Sequence, residues 1–492
     1  MFRVIMVALG FAFSAGAGLA QTSPLWGSDQ IRQQRPTAAV EALVFNLHSE
    51  ATSRGKPTKV TDQIVTLTPS FSLVAEGDRL TLDDHALCRA LVWTERAASL
   101  ENHSCYAGPA FRDLEIRNRV MMAQVIAKTG VVDQPQYIAL SETELGVAAP
   151  GAGRLEARQT ADGAEYRLGN AVMARVSGSA GEVSAEEMRR VTRFLANRGH
   201  LHPQVRRALA EGGHLPGLIE EEMGPIRVGD SHEAVRISNL RRAQVAYPLP
   251  AGLSSALSEK ARGGTSPRDL AVLRAAAVIE GAAPRPTIDD TLAALRKAAA
   301  DGRDLEVVLL FLELTQEHPA FFKQAISDEK ARAVVTAIMP VVRSHMTSPN
   351  AAALMQANAL ASNREAKGDR QAAARFPALT PKMDAMAFGT FRHVTYANLV
   401  AVSPDSKDWE PAIRAAMPAQ RVDNYWIHIA AYPWSSNAYK DAGDAYYAEY
   451  DTPQAWVAFD IGRLVDPEWR EGPLATLANY EENLRAQRPD FF

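Results

Sequence analysis

The stretch RLEARQTADGAEYRLGNAVMARV, from Arg154 to Val176, decides how the first half of the chain is read. Three short runs, Arg154 to Gln159, Ala164 to Leu168 and Val172 to Val176, are separated by Thr160-Ala161-Asp162-Gly163 and by Gly169-Asn170. Both separators hold residues that tolerate the positive φ of tight hairpin turns. The segment therefore reads as a three-stranded antiparallel meander. Downstream, Ser184-Ala185-Glu186-Glu187 has capping-box spacing and predicts a helix to about residue 197. Another helix follows Pro203, and Ala234 to Tyr247 alternates like a strand.

Upstream of the meander the reading is mixed. Thr37 to Ser49 places Val40, Leu43, Val44 and Leu47 at i, i+3, i+4 and i+7, which predicts an amphipathic helix. Val60 to Leu67 and Phe71 to Val74 read as strands interrupted by Pro69, and Glu76-Gly77-Asp78 turns into Leu80-Thr81-Leu82. Asp84 to Arg96 carries Leu87, Cys88, Leu91 and Val92 on one helical face, and Arg112 to Lys128 predicts a further helix.

The second half has almost no strand signal. Between Pro248 and Pro267, Pro-Leu-Pro, Ser-Ser and Gly-Gly-Thr-Ser-Pro cluster without periodicity and mark a boundary. Ser266-Pro267 starts a helix to about residue 280. Leu305, Val308, Leu309 and Leu312 mark another, which ends at His318-Pro319. The expected fold class is α+β and predominantly α. Its N-terminal half, 21–250, would hold a small antiparallel β-meander plus helices. A linker with one helix would span 251–285, and an α-helical repeat array would fill 286–492.

Composition and the chain's opening bound the setting. With 492 residues, 47% apolar, 22% charged and a net charge of -4, disordered, collagenous and multi-span membrane classes drop out. A pI near 6.3 gives no case for nucleic-acid binding. Met1-Phe2-Arg3, an apolar run from Val4 to Ala20 and the small residues before Gln21 predict a secretory signal peptide over 1–20; an uncleaved anchor is the alternative. No later apolar run is long enough to span a membrane. The mature chain is thus expected in the periplasm or secreted. In an oxidising compartment Cys88 and Cys105 favour a structural disulfide over two buried thiols.

Near the C-terminus Tyr439, Gly443, Tyr446, Ala455, Phe459 and Pro467 fall at intervals that resemble a tetratricopeptide (TPR-like) repeat, with the best unit at 434–467. Ala442 stands where the usual Leu would be, and Gly462 where the usual Ala would be. Tyr425 and Pro433 lie 34 residues before Phe459 and Pro467, a half-match, with Trp409 to Met417 as its degenerate first helix. Gly368-Asp369 and Ala373 leave a trace of an earlier unit, and Leu474 to Arg485 would cap the array. The resemblance implies that Asn437, Lys440, Asp444 and Tyr447 face a groove that binds a protein or peptide, with Tyr439 and Tyr446 in the core. Trp426 and Trp434 are read as packing.

Residues 441–492 hold eleven acids and four arginines, a net charge of -7, so a basic partner is favoured electrostatically. Residues 189–247 hold ten arginines and six acids. No cofactor is expected. The chain has no Gly-x-Ser-x-Gly elbow, no His-Glu-x-x-His and no phosphate loop. His200, His202 and His214, with Glu220 to Glu222 downstream, are the zinc-ligand candidates. They belong to the alternative reading, an exported hydrolase, metal-dependent or not, with its site in the N-terminal half or at the domain junction. The leading expectation is an exported helical-repeat scaffold that binds a protein or peptide and performs no catalysis of its own.

Overall fold

The computed structural model describes residues 22–128, 134–151, 153–199, 201–223, 229, 231–347, 421–466 and 468–492. The predicted signal peptide, the degenerate helix at Trp409 to Met417 and the trace at Gly368 to Ala373 lie outside them.

Where the spacing from Thr37 to Ser49 predicts a helix, the chain is a strand, β1 (Val40–Ser53). Ala42, Leu43, Val44, Phe45 and Leu47 are all buried, on both faces of that strand. A strand covered on both faces loses its period-two alternation and becomes a near-continuous apolar run. The helical spacing in that run was coincidental. β1 is central, pairing with β2 (Lys59–Leu67) on one side and with β13 (Ser231–Val245) on the other; the β13 register shifts between Val44 and Asn46.

From β2 the sheet continues antiparallel through β3 (Phe71–Glu76), β4 (Arg79–Asp84), β5 (Arg89–Thr94) and β6 (Ser99–Ser104). From β13 it continues through β12 (Leu218–Met223) to β9 (Ala171–Ser177), β8 (Gly163–Leu168) and β7 (Glu156–Gln159). A short β14 (Ser254–Ser255) adds parallel to β6 and completes a 12-stranded mixed sheet. The small meander expected from the sequence is therefore corrected. Its three strands exist, as β7 to β9, but they are one end of a sheet that organises the whole N-terminal half. What the sequence could not show is that β13 returns to β1 from almost two hundred residues away, joining the two strand groups.

Asp84 to Arg96 is also corrected from helix to turn and strand. Cys88 sits at φ 53 and its carbonyl accepts from the Cys105 amide at 3.0 Å, which fixes the corner between β4 and β5. Asp84 Oδ1 accepts the Leu87 amide at 2.9 Å inside the same corner.

Helices cover both faces of the sheet. On one face α4 (Ala185–Arg198) and α5 (Pro203–Gly212) bury Met188, Val191, Phe194, Leu195 and Val205 against Leu43, Phe45, Leu47 and Val65. The expected capping box starts α4: the Glu187 amide donates to Ser184 Oγ at 3.2 Å and the Ser184 amide to Glu187 Oε2 at 2.7 Å. On the opposite face Phe71, Leu82, Leu91, Trp93 and Leu100 pack on Ile31 of α1 (Ser28–Gln33) and on Leu249. The remaining N-terminal helices are α2 (Ala107–Ala127) and α3 (Gln134–Leu145).

After β14 come α6 (Ala256–Gly263), α7 (Pro267–Ile279), α8 (Ile288–Ala300), α9 (Asp304–Glu317), α10 (Pro319–Gln324) and α11 (Glu329–Met346). Ser266 and Thr287 cap α7 and α8 through capping boxes with Asp269 and Asp290. Among the described residues beyond 420 are α12 (Arg421–Ala431), α13 (Ser436–Ala448), α14 (Thr452–Val465) and α15 (Ala475–Gln487), then a 3-10 turn at Pro489–Phe491. A Cβ on Gly443 would fall 2.2 Å from the Phe459 ring, and one on Gly462 would fall 2.7 Å from Tyr439 Cβ. Residue 443 thus faces 459 while 439 faces 462, so α13 and α14 form a close antiparallel hairpin. Trp456 and Phe459 of α14 share a core with Tyr106, Ala107 and Ala110 at the start of α2, so the hairpin packs directly on the sheet half. No described helix is long and apolar enough to cross a membrane.

Candidate functional site

The face of α13 that carries the predicted contact residues borders a cavity. Lys440 and Asp444, one turn apart, form an ion pair, which is the natural pairing for opposite charges at i and i+4. One turn on, Tyr447 donates to or accepts from the Tyr480 hydroxyl of α15 at 2.9 Å, and the two rings meet edge to face. Trp456 of α14 closes the back, 6.2 Å from the Tyr447 ring. Its indole Nε1 donates to Glu481 Oε1 at 2.8 Å, and Arg463 holds the same oxygen at 2.7 Å. Burial pushes the Glu481 carboxyl up, an effect that Arg463 and Trp456 oppose.

These groups, with Phe459, Thr476 and Leu477, line a mostly apolar cavity of about 240 Å³. Of the four residues expected to face a partner, the structure thus brings Lys440, Asp444 and Tyr447 together. Asn437 stands half-buried nearly one turn before Lys440 on the same helix. Tyr439 is fully buried and donates its hydroxyl to the Pro433 carbonyl at 3.0 Å, whereas Tyr446 is half-buried and bonds the Trp426 indole at 2.9 Å. Trp434 packs edge-on against Tyr432.

The histidines are dispersed. His202 is buried as the N-cap of α5, where Nδ1 accepts the Gln204 amide at 3.2 Å and Nε2 lies 3.3 Å from Glu142. His214 is exposed just beyond the opposite end of the same helix, in β11 (His214–Leu215). Ten helical residues separate the two by about 15 Å, too far to share an ion. His200 lies outside the described residues. Among the described residues no group of three or more His, Cys, Asp or Glu could hold a metal ion. Cys88 and Cys105 form a disulfide with a Cα separation of 4.9 Å.

A second cavity, of about 340 Å³, lies between the sheet and α4, and the sequence reading did not anticipate it. Strands β2 to β4 supply Gln63, Val74, Glu76, Arg79, Thr81 and Asp83 to its floor, and β5 adds Arg89 and Ala90. His85 follows from the β4–β5 corner, Gly108 and Pro109 from the start of α2, and Phe194, Asn197 and Phe491 form the opposite wall. Asp83 is half-buried in this recess. Burial pushes its carboxyl up to about 6, against the pull of Ser72 and Arg112. His85 is pushed down to about 4 by burial and by the charges of Arg193 and Arg35, so its ring is neutral at ordinary pH. The available signal was the acidic Asp83 on a strand face where Val65 and Val74 lead one to expect an apolar residue.

No family model matches the chain, and no curated protein matches it. Among solved structures, a LolA superfamily protein from Nitrosomonas europaea is similar to 46% of this chain over 96% of its own length, with 9% identity and a TM-score of 0.18. A lipovitellin structure is similar to 93% of this chain over 56% of its own length, with 11% identity and a TM-score of 0.13. Likenesses this low carry no argument about fold or function.

Proposed function

We propose that the protein is an exported scaffold whose C-terminal TPR-like helices bind a protein or peptide partner and that it performs no catalysis of its own. The observation that supports this most directly is the shared cavity of Lys440, Asp444 and Tyr447, walled by Trp456 and Tyr480. Aromatic walls around a small apolar recess suit an inserted apolar or aromatic side chain, the usual anchor of a protein contact. The excess acidic charge of 441–492 favours a basic partner segment and would speed its encounter. Residence in the periplasm or outside the cell is part of the proposal, and a disulfide is consistent with an oxidising compartment.

Thr476 is exposed at the cavity and reports on it without touching the core. A photo-crosslinking residue at position 476, activated in the native compartment, is expected to give one discrete adduct. That adduct should be competed by excess unlabelled protein but not by the Thr476→Trp variant, whose indole fills the recess. Equal competition by wild type and Thr476→Trp, or the absence of any adduct, would overturn the reading.

A further inference from the structure

The Cys88–Cys105 bridge lies against a cation that has no carboxylate partner among the described residues. Arg485 of α15 directs Nη2 at Cys88 Sγ, 3.3 Å away, and its Nε donates to the Tyr106 hydroxyl at 2.7 Å. Its guanidinium lies 5.0 Å from the centre of the Tyr106 ring and 4.6 Å from that of Phe492, so two rings and a hydroxyl hold it in place. The acids nearby are committed elsewhere. Asp460 is taken by Arg89 at 2.5 Å, and Glu481 by Arg463 at 2.7 Å and by the Trp456 indole at 2.8 Å. These four charged groups, with the exposed Arg470, line a cavity of about 50 Å³ that Cys88 also borders.

The other sulfur belongs to Cys105, which is half-buried and lines the cavity between the sheet and α4. On that side Glu76 and Arg79 carry opposite charges, Asp84 is held by Arg35 and Arg198 by Glu233. His85 is neutral there, and burial pushes the Asp83 carboxyl up. A Cβ on Gly108, the next cavity residue along the chain, would meet nothing within 4 Å, so the approach beside Cys105 is open. Cys105 also stands just before α2, whose first turn holds no acid, so the positive end of that helix favours negative charge on the sulfurs.

We propose that the Cys88–Cys105 bridge is a thiol–disulfide exchange site, opened by a dithiol that attacks Cys105 from the cavity and leaves Cys88 as a thiolate on Arg485. One thiolate of the dithiol bonds to Cys105 Sγ, the bond between the two cysteine sulfurs breaks, and its electron pair goes to Cys88. The second thiol of the dithiol gives its proton to water and attacks its partner sulfur in the mixed disulfide. The dithiol departs as a cyclic disulfide, and the released Cys105 sulfur takes up a proton. A thiol of lowered pKa leaves faster, and a stabilised thiolate favours the reduced form. The contact from Arg485 strengthens as the bond opens, because a hydrogen bond to a charged sulfur is stronger than one to a neutral sulfur. The assignment does not depend on what the C-terminal recess binds.

Equilibration of the full mature chain at neutral pH with mixtures of reduced and oxidised dithiothreitol, without denaturant and read by alkylation of free thiols and mass, tests the proposal. The bridge is expected to open fully while far-ultraviolet circular dichroism stays that of the folded protein. Arg485→Gln should lower the equilibrium constant for reduction by about tenfold, which corresponds to about 30 mV, and Arg485→Lys should recover part of that. In Cys105→Ser the remaining Cys88 thiol should titrate below the ordinary value of about 8.5, and adding Arg485→Gln should bring it back up. The proposal is overturned if the bridge opens only in denaturant, if Arg485→Gln leaves the equilibrium unchanged, or if Cys88 in Cys105→Ser titrates at about 8.5 or above.

Discussion

Arg89 Nη1 lies 2.5 Å from Asp460 Oδ2, both side chains almost fully buried, across 371 residues of sequence. The pair joins β5 to α14 and is the most direct polar link between the sheet and the C-terminal hairpin. Burial, helped by the nearby charge of Arg463, pushes the Arg89 guanidinium down, and Asp460 opposes that. Removing Arg89 leaves Asp460, away from water, with only the longer 3.6 Å contact to Arg463. Arg89→Met is therefore expected to destabilise by about 3–5 kcal/mol, while the double change Arg89→Met with Asp460→Leu recovers most of the loss. Urea unfolding midpoints of the single and double variants check this. A double variant no more stable than the single one would show that the ion pair is not the coupling element.

The Cys88–Cys105 bridge closes a loop of 17 residues. Loop-closure entropy makes its removal cost about 3 kcal/mol. Cys88→Ser with Cys105→Ser should melt well below wild type and be insensitive to dithiothreitol, whereas reductant should bring the wild type down to the same midpoint.

Gly443 permits the close crossing of α13 over α14. Its missing Cβ leaves room for the Phe459 ring, which would otherwise sit 2.2 Å away. Gly443→Ala should destabilise by about 1–3 kcal/mol despite the better helix propensity of Ala. Adding Phe459→Leu should restore part of the loss, and thermal melts of the two variants decide it.

Glu221 and Glu233 oppose each other across β12 and β13, both buried, and only Glu233 is held by Arg198. Burial and the neighbouring Glu233 push the Glu221 carboxyl well above its ordinary value. Below about pH 4 folded and unfolded chains both hold this proton, so burial costs nothing. As pH rises past that value the unfolded chain releases the proton while the folded chain keeps it, and stability falls. Glu221→Gln removes the titration. Its melting temperature should match wild type near about pH 4 and exceed it increasingly toward about pH 7. A constant difference across that range would refute the assignment.

Short-range chemistry was legible in the residues. Ser184, Ser266 and the Thr160–Gly163 turn marked their elements correctly, because capping and turn preferences are settled within four residues. So were the α13–α14 hairpin, from the spacing of Tyr439, Gly443, Ala455 and Phe459, and the eligibility of Cys88 and Cys105 to pair. Long-range pairing decided the rest. Val40 to Leu47 reads as a helix until β13 and β2 flank it, because a strand buried on both faces carries no alternation to read. Lys440, Asp444 and Tyr447 could be placed on one helix face by sequence, but only α15 folding back brings Tyr480 to close a cavity over them. Asp83 could be seen as an acid on an otherwise apolar strand face, but only the packing of α4 and of Phe491 over that face makes it part of a cavity wall.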